Sequence, residues 1–531
     1  MISIAKRLLL IPLIFLPYSI FCQNNNWLTI QQVAELTIEN NKSIQHAIAL
    51  KKIAIADIQI ANSEFNLKVR GEINKTYEIL PLTIDYRDNL FGYSNGSYTE
   101  FDLLNYTFGF SKRLKFGTII NPEIEFFNYG KDTLYKYLKY NGYGNLITNR
   151  SNVKLNLYQP IFRGIGLKYN TTNLRINEKK YQVAEEEYFY SISENLLKSF
   201  IAYLEYIWAY KNLEIQENID KKFLLLIKQI EILVEQDVIP AADLNYIRAN
   251  YLQSKTNYLK AQNLFIYQKE NLVNKMGIDE KRKNELLLPP DEFFVSIIEL
   301  QQKQSEILER AINQSLINRN DYKAFELLLS IEEDKFDFFK KELLPKIDLK
   351  FSIGYNGIFE SSGFEQFYKP YYENIPGINY SVGLVYSFDI KNDYNKGKFL
   401  SAKGNFEYQQ AINNMLKEEI NFNLSKYLND ITNFSEVTKN IKSTINYYEE
   451  ALENETIKLK LGTSTVINFV QIQTDYYKTL EQLNNTLLNL NSSLLYFRFY
   501  SGTLCMVDEN KILSIDYQNL FLLPYNDNYA E

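Results

Sequence analysis

Few side chains in this sequence could carry out chemistry. The 531 residues contain one histidine, His46, and two cysteines, Cys22 and Cys505. A zinc site, a Ser/His/Asp triad or a Cys/His pair needs more such residues, unless the fold brings His46 and Cys505 together. The pairs Glu332-Glu333 and Glu418-Glu419 are adjacent on helical patterns and face different directions. The sequence therefore predicts a protein that is not an enzyme and that uses no cofactor or metal.

A polar turn between two long helical patterns is the most unusual local feature. The turn consists of Gly462, Thr463, Ser464 and Thr465. Asn468 and Gln471 follow one helical turn apart, and Asp475 lies one turn further along. Asn468 as an ordinary early-helix polar residue and Gln471 as a solvated one remain the simpler alternative. The first half of the chain has a comparable turn from Asp237 to Pro240, followed by Asp243.

Two very long helices must position these turns. No proline interrupts residues 167 to 236, where apolar residues recur at steps of three and four. A helix of roughly 70 residues is about 100 Å long. A second such pattern covers residues 396 to 461, and a shorter helix follows each one, beginning near Ala242 or Val466. Helices with an apolar stripe of this length pack side by side, as in coiled coils and bundles.

Strictly alternating segments lie between the helical patterns. KIDLKFSIGYN, from Lys346, and NYSVGLVYSFDI, from Asn379, place apolar or aromatic residues on one face and polar or small residues on the other. VRGEINKTY and VKLNLYQPIF, from Val69 and Val153, repeat the pattern in the first half. TFGFSKRLKFGTIINPEIEF, from Thr107, is an additional hairpin candidate. Such alternation is typical of a transmembrane barrel, although a half-buried sheet of a soluble protein alternates in the same way.

The N-terminus predicts export. Lys6 and Arg7 precede the apolar run LLLIPLIFLPYSIF, and polar residues begin at Gln23. This is the layout of a signal peptide covering residues 1–22. Cys22 could instead be a lipoprotein cysteine, but the bulky Phe21 before it fits that processing poorly. A net charge of −6, mixed evenly along the chain, indicates no nucleic-acid partner.

The order of predicted elements occurs twice. Residues 23–290 form a first repeat, with strands at about 66–162, and residues 291–503 form a second, with strands at about 345–390. A C-terminal tail covers residues 504–531. Repeats of this size predict a pseudo-symmetric architecture.

Several segments resemble the TolC-like outer-membrane efflux proteins, the outer membrane factors. WLTIQQVAELTIENNKSIQ is similar to the first helix of that family, and QPIFRGIG to its strand-to-helix junction. ILERAINQSLINRNDYKAFELLLSIEEDKFDFFKKELLPKIDL resembles the start of its second repeat. LGTSTVINFVQIQTDYYKTL resembles the helical turn near its periplasmic end. The resemblance covers nearly all of the mature chain.

The resemblance implies an α+β membrane protein, with a long α-helical coiled-coil barrel and a transmembrane β-barrel shared between protomers. It implies a homotrimer in outer-membrane lipid, with a long periplasmic extension. The trimer would be the exit channel of a tripartite efflux or type I secretion system. Its partners would be a periplasmic adaptor (membrane fusion) protein and an inner-membrane pump of RND, ABC or MFS type. Four strands per chain would give twelve, and the additional hairpin leaves open four strands, six strands or an extracellular loop.

The resemblance also places the polar turns at the periplasmic tips. Asn468 and Gln471 would occupy the position of an acidic ring in the best-known member, and their lack of charge argues against a strongly cation-selective gate. Asp475 and Asp243 could still supply charge, and Leu459 completes the gate candidates. The candidates for adaptor contact are Gly462, Thr463, Ser464, Thr465, Asp237 and Pro240.

A different class of function is a non-conducting coiled-coil protein, structural or adaptor, in the periplasm or at the cell surface. An adaptor predicts one helical hairpin inserted between soluble β-domains. This sequence predicts two hairpins that alternate with amphipathic strands, and the channel is therefore the favoured hypothesis.

Overall fold

The computed structural model describes residues 27–81, 98–132, 149–235, 240–279, 288–290, 292–300, 302–359, 364–372, 377–461, 463–508 and 510–526. The predicted signal peptide and Cys22 lie outside these ranges. The described residues form two compact units. The helical unit contains residues up to His46, Phe189–Arg319 and residues from Glu418 onward, and the sheet unit contains Ala47–Tyr188 and Asn320–Lys417.

The helices agree with the sequence patterns in position and length. In chain order they are α1 (Ile30–Asn40), α2 (Lys42–Asn62), α3 (Leu167–Asn170), α4 (Thr172–Glu235), α5 (Ala241–Met276), α6 (Gln304–Asn318), α7 (Asn320–Glu342), α8 (Asp393–Lys460) and α9 (Val466–Ser501). The two long helices, α4 and α8, have 64 and 68 residues. Within the described ranges, no helix combines the length and the hydropathy needed to cross a membrane.

The two return helices of the helical unit, α5 and α9, match in length and in their caps. α9 begins 225 positions after α5, and each of the two helices has 36 residues. Each ends at a glycine in the left-handed region, Gly277 with φ 75° and Gly502 with φ 72°. A left-handed glycine after the last turn is a common helix C-cap. α5 and α9 thus share their length and the geometry of their C-caps, and the duplication of the whole chain stays a prediction.

The two glycines also lie against two interruptions between consecutive helices that the sequence analysis did not predict. α1 and α2 are separated at Asn41, and α6 and α7 at Arg319. A Cβ added to Gly277 would lie 2.8 Å from the Asn40 carbonyl oxygen, and one added to Gly502 would lie 2.8 Å from the Asn318 Cβ. Glycine is therefore required at both places by backbone angle and by space.

The sheet unit contains six strands in one antiparallel sheet. They are β1 (Leu67–Pro81), β2 (Tyr98–Arg113), β3 (Ile119–Asp132), β4 (Asn149–Pro160), β5 (Lys346–Phe359) and β6 (Gly377–Ser387). Their spatial order follows the chain order, β1-β2-β3-β4-β5-β6. Two short strands of the C-terminal tail, β7 (Met506–Val507) and β8 (Leu513–Ser514), pair separately in the helical unit.

The two faces of the six-stranded sheet differ in polarity. In the register of β5 and β6, Phe351 pairs with Val382 and Ile353 with Tyr380, while Ser352 pairs with Ser381 between them. The apolar side chains of this face are largely exposed in the single chain, Tyr380 at 78%. An exposed apolar sheet face of this extent needs a covering surface.

We expect Gly502→Ala to destabilise the protein by about 1–3 kcal/mol, because it places a Cβ at positive φ and against Asn318. Gly404→Ala is the matched control. Gly404 is an exposed position of α8, and its added Cβ meets nothing within 4 Å. The control substitution should stabilise by about 1 kcal/mol, because alanine favours the helix. Thermal unfolding in detergent measures both; equal shifts for the two variants would contradict the structural role of Gly502.

Candidate functional site

The turn between α8 and α9 is closed by the backbone and by Thr465. The Thr463 amide donates to the Lys458 carbonyl at 2.9 Å, as in the last turn of a helix. Thr465 is the N-cap of α9, and its hydroxyl accepts a hydrogen bond from the Asn468 amide at 3.2 Å. N-cap threonine satisfies one of the free amides of the first turn. These bonds explain why Gly-Thr-Ser-Thr reverses the chain here.

A buried carboxylate that the sequence analysis missed organises this turn. Glu455 lies in the last two turns of α8 and is 7% exposed. The Ser464 hydroxyl donates to Glu455, and the Lys458 ammonium lies 3.5 Å from the same carboxylate. A carboxylate near a helix C-terminus is disfavoured by the helix dipole. Its presence there, followed by Lys458 and by the three hydroxyl residues Thr463, Ser464 and Thr465, was a readable signal of a structured turn.

The structure brings several of the predicted residues into one polar cavity of about 370 Å³. Its lining residues are Glu455, Lys458, Thr463, Ser464, Asn468, Gln471 and Ile472. The exposed Gln471 amide donates to the Asp475 carboxylate at 3.0 Å. This hydrogen bond joins two of the gate candidates along one face of α9.

Leu459 lies on the apolar side of the same tip. It packs against a cluster of buried residues that includes Ile230 of α4, Ile247 of α5 and Val470 of α9. Leu244, one residue after Asp243, packs against the same cluster. The α4–α5 and α8–α9 tips therefore share one apolar core, and Leu459 is part of it.

The first-repeat tip is described only in part. Asp237 and Gly462 lie outside the described residues. Pro240 is exposed and precedes α5, and the Asp243 amide donates to its carbonyl at 3.1 Å. Asp243 is half-buried in the first turn, where the helix dipole favours a carboxylate. Neither Asp243 nor Pro240 lines the polar cavity.

A second, larger cavity of about 710 Å³ lies next to the apolar core that the two tips share, between α4, α8 and α9. Tyr476 lines it and donates a hydrogen bond to Glu449 at 2.9 Å. Burial raises the pKa of Tyr476 to about 12, and the hydrogen bond to Glu449 adds to the rise. Tyr476 is therefore neutral at physiological pH and serves as a donor.

Two of the reactive side chains named in the sequence analysis, Cys505 and His46, fall within the described residues. Cys505 is buried, and burial raises the pKa of its thiol to about 12. The thiol therefore stays protonated and is a poor nucleophile. His46 lies on the exposed side of α2. The turn between α8 and α9 is held by hydrogen bonds between its own polar groups. A binding partner with polar groups of its own could replace those hydrogen bonds.

Thr465→Ala should loosen the first turn of α9 by about 1 kcal/mol, because the Asn468 amide loses its acceptor. Thr465→Ser keeps the oxygen and should behave as the native protein. Hydrogen exchange of the Asn468 and Phe469 amides measures the effect. Equal exchange in the alanine and serine variants would show that the cap does not hold the turn.

Solved structures give the comparison that sequence alone does not. No family model matches the chain, and no curated protein matches it either. The Campylobacter jejuni CmeC outer membrane channel is 13% identical, with TM-score 0.61 over 90% of this chain and 86% of that one. The outer-membrane channel OprN is 12% identical, with TM-score 0.64 over 90% of each chain. The open state of the Neisseria gonorrhoeae MtrE outer membrane channel is 12% identical, with TM-score 0.57 over 89% and 88%. The chain therefore has the fold of the TolC-like outer-membrane channels.

Proposed function

We propose that this protein is the outer-membrane exit channel of a tripartite efflux or type I secretion system, and that it works as a homotrimer. The observation that carries the proposal is the six-stranded sheet, with an exposed apolar face and a polar face. Apolar residues toward lipid and polar residues toward a lumen are what a transmembrane barrel requires. On this assignment, the face with Phe351 and Tyr380 contacts outer-membrane lipid.

The edges of the sheet support assembly. Within the described residues, β1 pairs only with β2, and β6 pairs only with β5. They have 15 and 11 residues, so two long rows of backbone N–H and C=O groups face outward. An edge of this kind cannot stay unpaired in a bilayer. Pairing of β1 with β6 of the next protomer satisfies both edges and closes a ring of three chains.

The structural neighbours support conduction. CmeC, OprN and MtrE are channels, and the likeness extends over nearly the whole of each chain. On this proposal, the long helices α4 and α8 line a periplasmic tunnel, and the protein catalyses no reaction. Its partners are a periplasmic adaptor protein, which contacts the tip at Thr463, Ser464 and Pro240, and an inner-membrane pump of RND, ABC or MFS type.

The gate belongs to the same proposal. Asn468, Gln471 and Asp475 lie on one side of α9 near its start, and the turn before them is held by side-chain hydrogen bonds. An adaptor that packs more tightly against an open tip shifts the population toward the open state. The alternative, a non-conducting coiled-coil protein, predicts a stable single chain and no ion current.

The native mass in mild detergent tests the assembly. We expect a mass near three mature chains, about 180 kDa after correction for bound detergent, given 62.5 kDa for the full chain. Replacing Val382 and Leu384 of β6 with proline removes two backbone N–H donors from this edge of the sheet and should abolish the trimer. A native protein that is folded and stable as a single chain would refute the proposal.

Single-channel conductance tests the gate. Replacing both Asn468 and Gln471 with Ala should raise the conductance by roughly twofold or more, because the narrowest ring of a pore dominates its resistance. Gln482→Ala is the matched control, since it lies about three turns further along the same face of α9. Its conductance should equal that of the native channel. An unchanged double variant would remove both residues from the gate.

A further inference from the structure

The hairpin formed by β2 and β3 is an insertion confined to the first repeat. Asn318, at the end of α6, follows Asn40, at the end of α1, by 278 positions, whereas α9 follows α5 by 225. The first repeat is therefore longer by the 53 positions that separate these two offsets. Between β1 and β4 it contains two strands and their connections, whereas no strand lies between β5 and β6 of the second repeat within the described residues.

The inserted strands have the same two faces as their neighbours. On the apolar face, Phe108 pairs with Ile124, and Ile124 pairs with Val153 of β4. On the polar face, Thr107 pairs with Glu125, and Glu125 pairs with Asn152. A hairpin that folded back as a loop, or into the lumen, would not need to match the polarity of its neighbouring strands on both faces. The match indicates that β2 and β3 are part of the wall.

Side-chain contacts join the hairpin to β4 on the polar face. The Lys154 ammonium forms a salt bridge with Glu125, and the Asn156 amide donates to Glu123 at 2.8 Å. Ser352 of β5 donates to Asn156 at 2.8 Å. The polar network therefore continues from β3 across β4 to β5 without interruption.

The hairpin is anchored within the sheet unit at its turn and near the middle of its strands. Its turn contains Gly117, with φ 109°, whose added Cβ would lie 2.7 Å from the Asn170 side chain. Arg113 donates to the same Asn170 at 3.0 Å. Near the middle of the strands, the Phe367 ring contacts Tyr106 of β2 and Phe126 of β3, with centroids 6.1 and 5.0 Å apart. The hairpin is thus held at its turn and at mid-length.

From these contacts we infer that each chain contributes six strands to the pore wall, and that three chains close a barrel of 18 strands. The inference rests on the proposed function and specifies the size of its pore. With strands about 4.8 Å apart and tilted about 40°, a 12-strand barrel has a backbone diameter of about 24 Å and an 18-strand barrel about 36 Å. The hairpin therefore roughly doubles the cross-section of the pore at the outer membrane.

The wider wall raises the size of solute that the barrel itself admits. Inward side chains occupy about 5 Å on each side, half of the spacing between packed sheets, which leaves openings of about 14 Å and 26 Å. A single helix, about 10–12 Å across, passes either opening. A helical hairpin or a branched polymer about 20 Å across passes only the wider one. The barrel of 18 strands therefore does not limit the size of the solute, and that limit stays with the narrowest ring, proposed at Asn468 and Gln471.

Electron cryomicroscopy of the native trimer in nanodiscs tests the strand count directly. We expect views along the symmetry axis to show a ring of 18 strands, about 36 Å across. Deletion of residues 98–132 removes both strands of the hairpin and leaves β1 and β4 antiparallel, and this variant should give 12 strands, about 24 Å across. A native trimer with a 12-strand ring would overturn the inference and leave the proposed channel intact. A native protein without a ring would overturn both.

Size-graded maleimide reagents give a second readout that does not need the deletion variant to fold. Ser381→Cys places a thiol on the polar face, and Val382→Cys places one on the apolar face of the same strand. Poly(ethylene glycol) maleimides about 20 Å across, applied from the side of the β5–β6 connection, should label the Ser381→Cys trimer. The Val382→Cys trimer in nanodiscs should stay unlabelled, because lipid covers it. Labelling of Ser381→Cys only by reagents below about 14 Å would contradict the 18-strand wall.

Discussion

Backbone pairing at the edges of the sheet is the constraint on which the rest of the structure depends. Within the part of the chain that the structure describes, β1 and β6, with 15 and 11 residues, are the opposite edge strands of one sheet. Their apolar side chains are exposed as well, so neither the edge nor the face is complete in a single chain. Water penalises the face and a bilayer penalises the edge, and a closed ring in lipid satisfies both. In the proposed ring, each chain continues from strand to helix through a junction within the sheet unit.

Those junctions use the same device in both repeats. α3 begins after Gly166, at φ 96°, and α8 begins after Asn392, at φ 50°. Glycine and asparagine are the residues that enter the positive-φ region at the least cost. Asn392 is buried, and it accepts a hydrogen bond from Asn395 at 2.7 Å. A sharp change of direction between strand and helix is therefore encoded locally, and it does not depend on the width of the sheet.

The separation along the chain of the residues that interact decides how much of the structure could be predicted from the sequence. The long helices were predicted because apolar spacing and the absence of proline are local signals, and the strands because alternation is local. The hairpin of β2 and β3 was proposed as a candidate for the same reason, but its register, in which Phe108 pairs with Ile124, was not predicted. The breaks at Asn41 and Arg319 were missed, because they follow from the contacts of distant Gly277 and Gly502. Glu455 was missed although its signal was local, since its partner Ser464 lies only nine positions further along the chain.

Growth of the sheet by a hairpin is the kind of change that this architecture tolerates. Two antiparallel strands added between β1 and β4 leave the direction of both neighbours unchanged, whereas one strand would reverse the chain after it. The inserted pair needs only the alternation of its neighbours, and its turn lies beside Asn170, next to the junction that starts the helices. Helix α4 therefore starts from the same kind of junction as α8, although its repeat contains two more strands. A pore wall can widen in this way while the 36-residue return helices and their caps stay matched between the repeats.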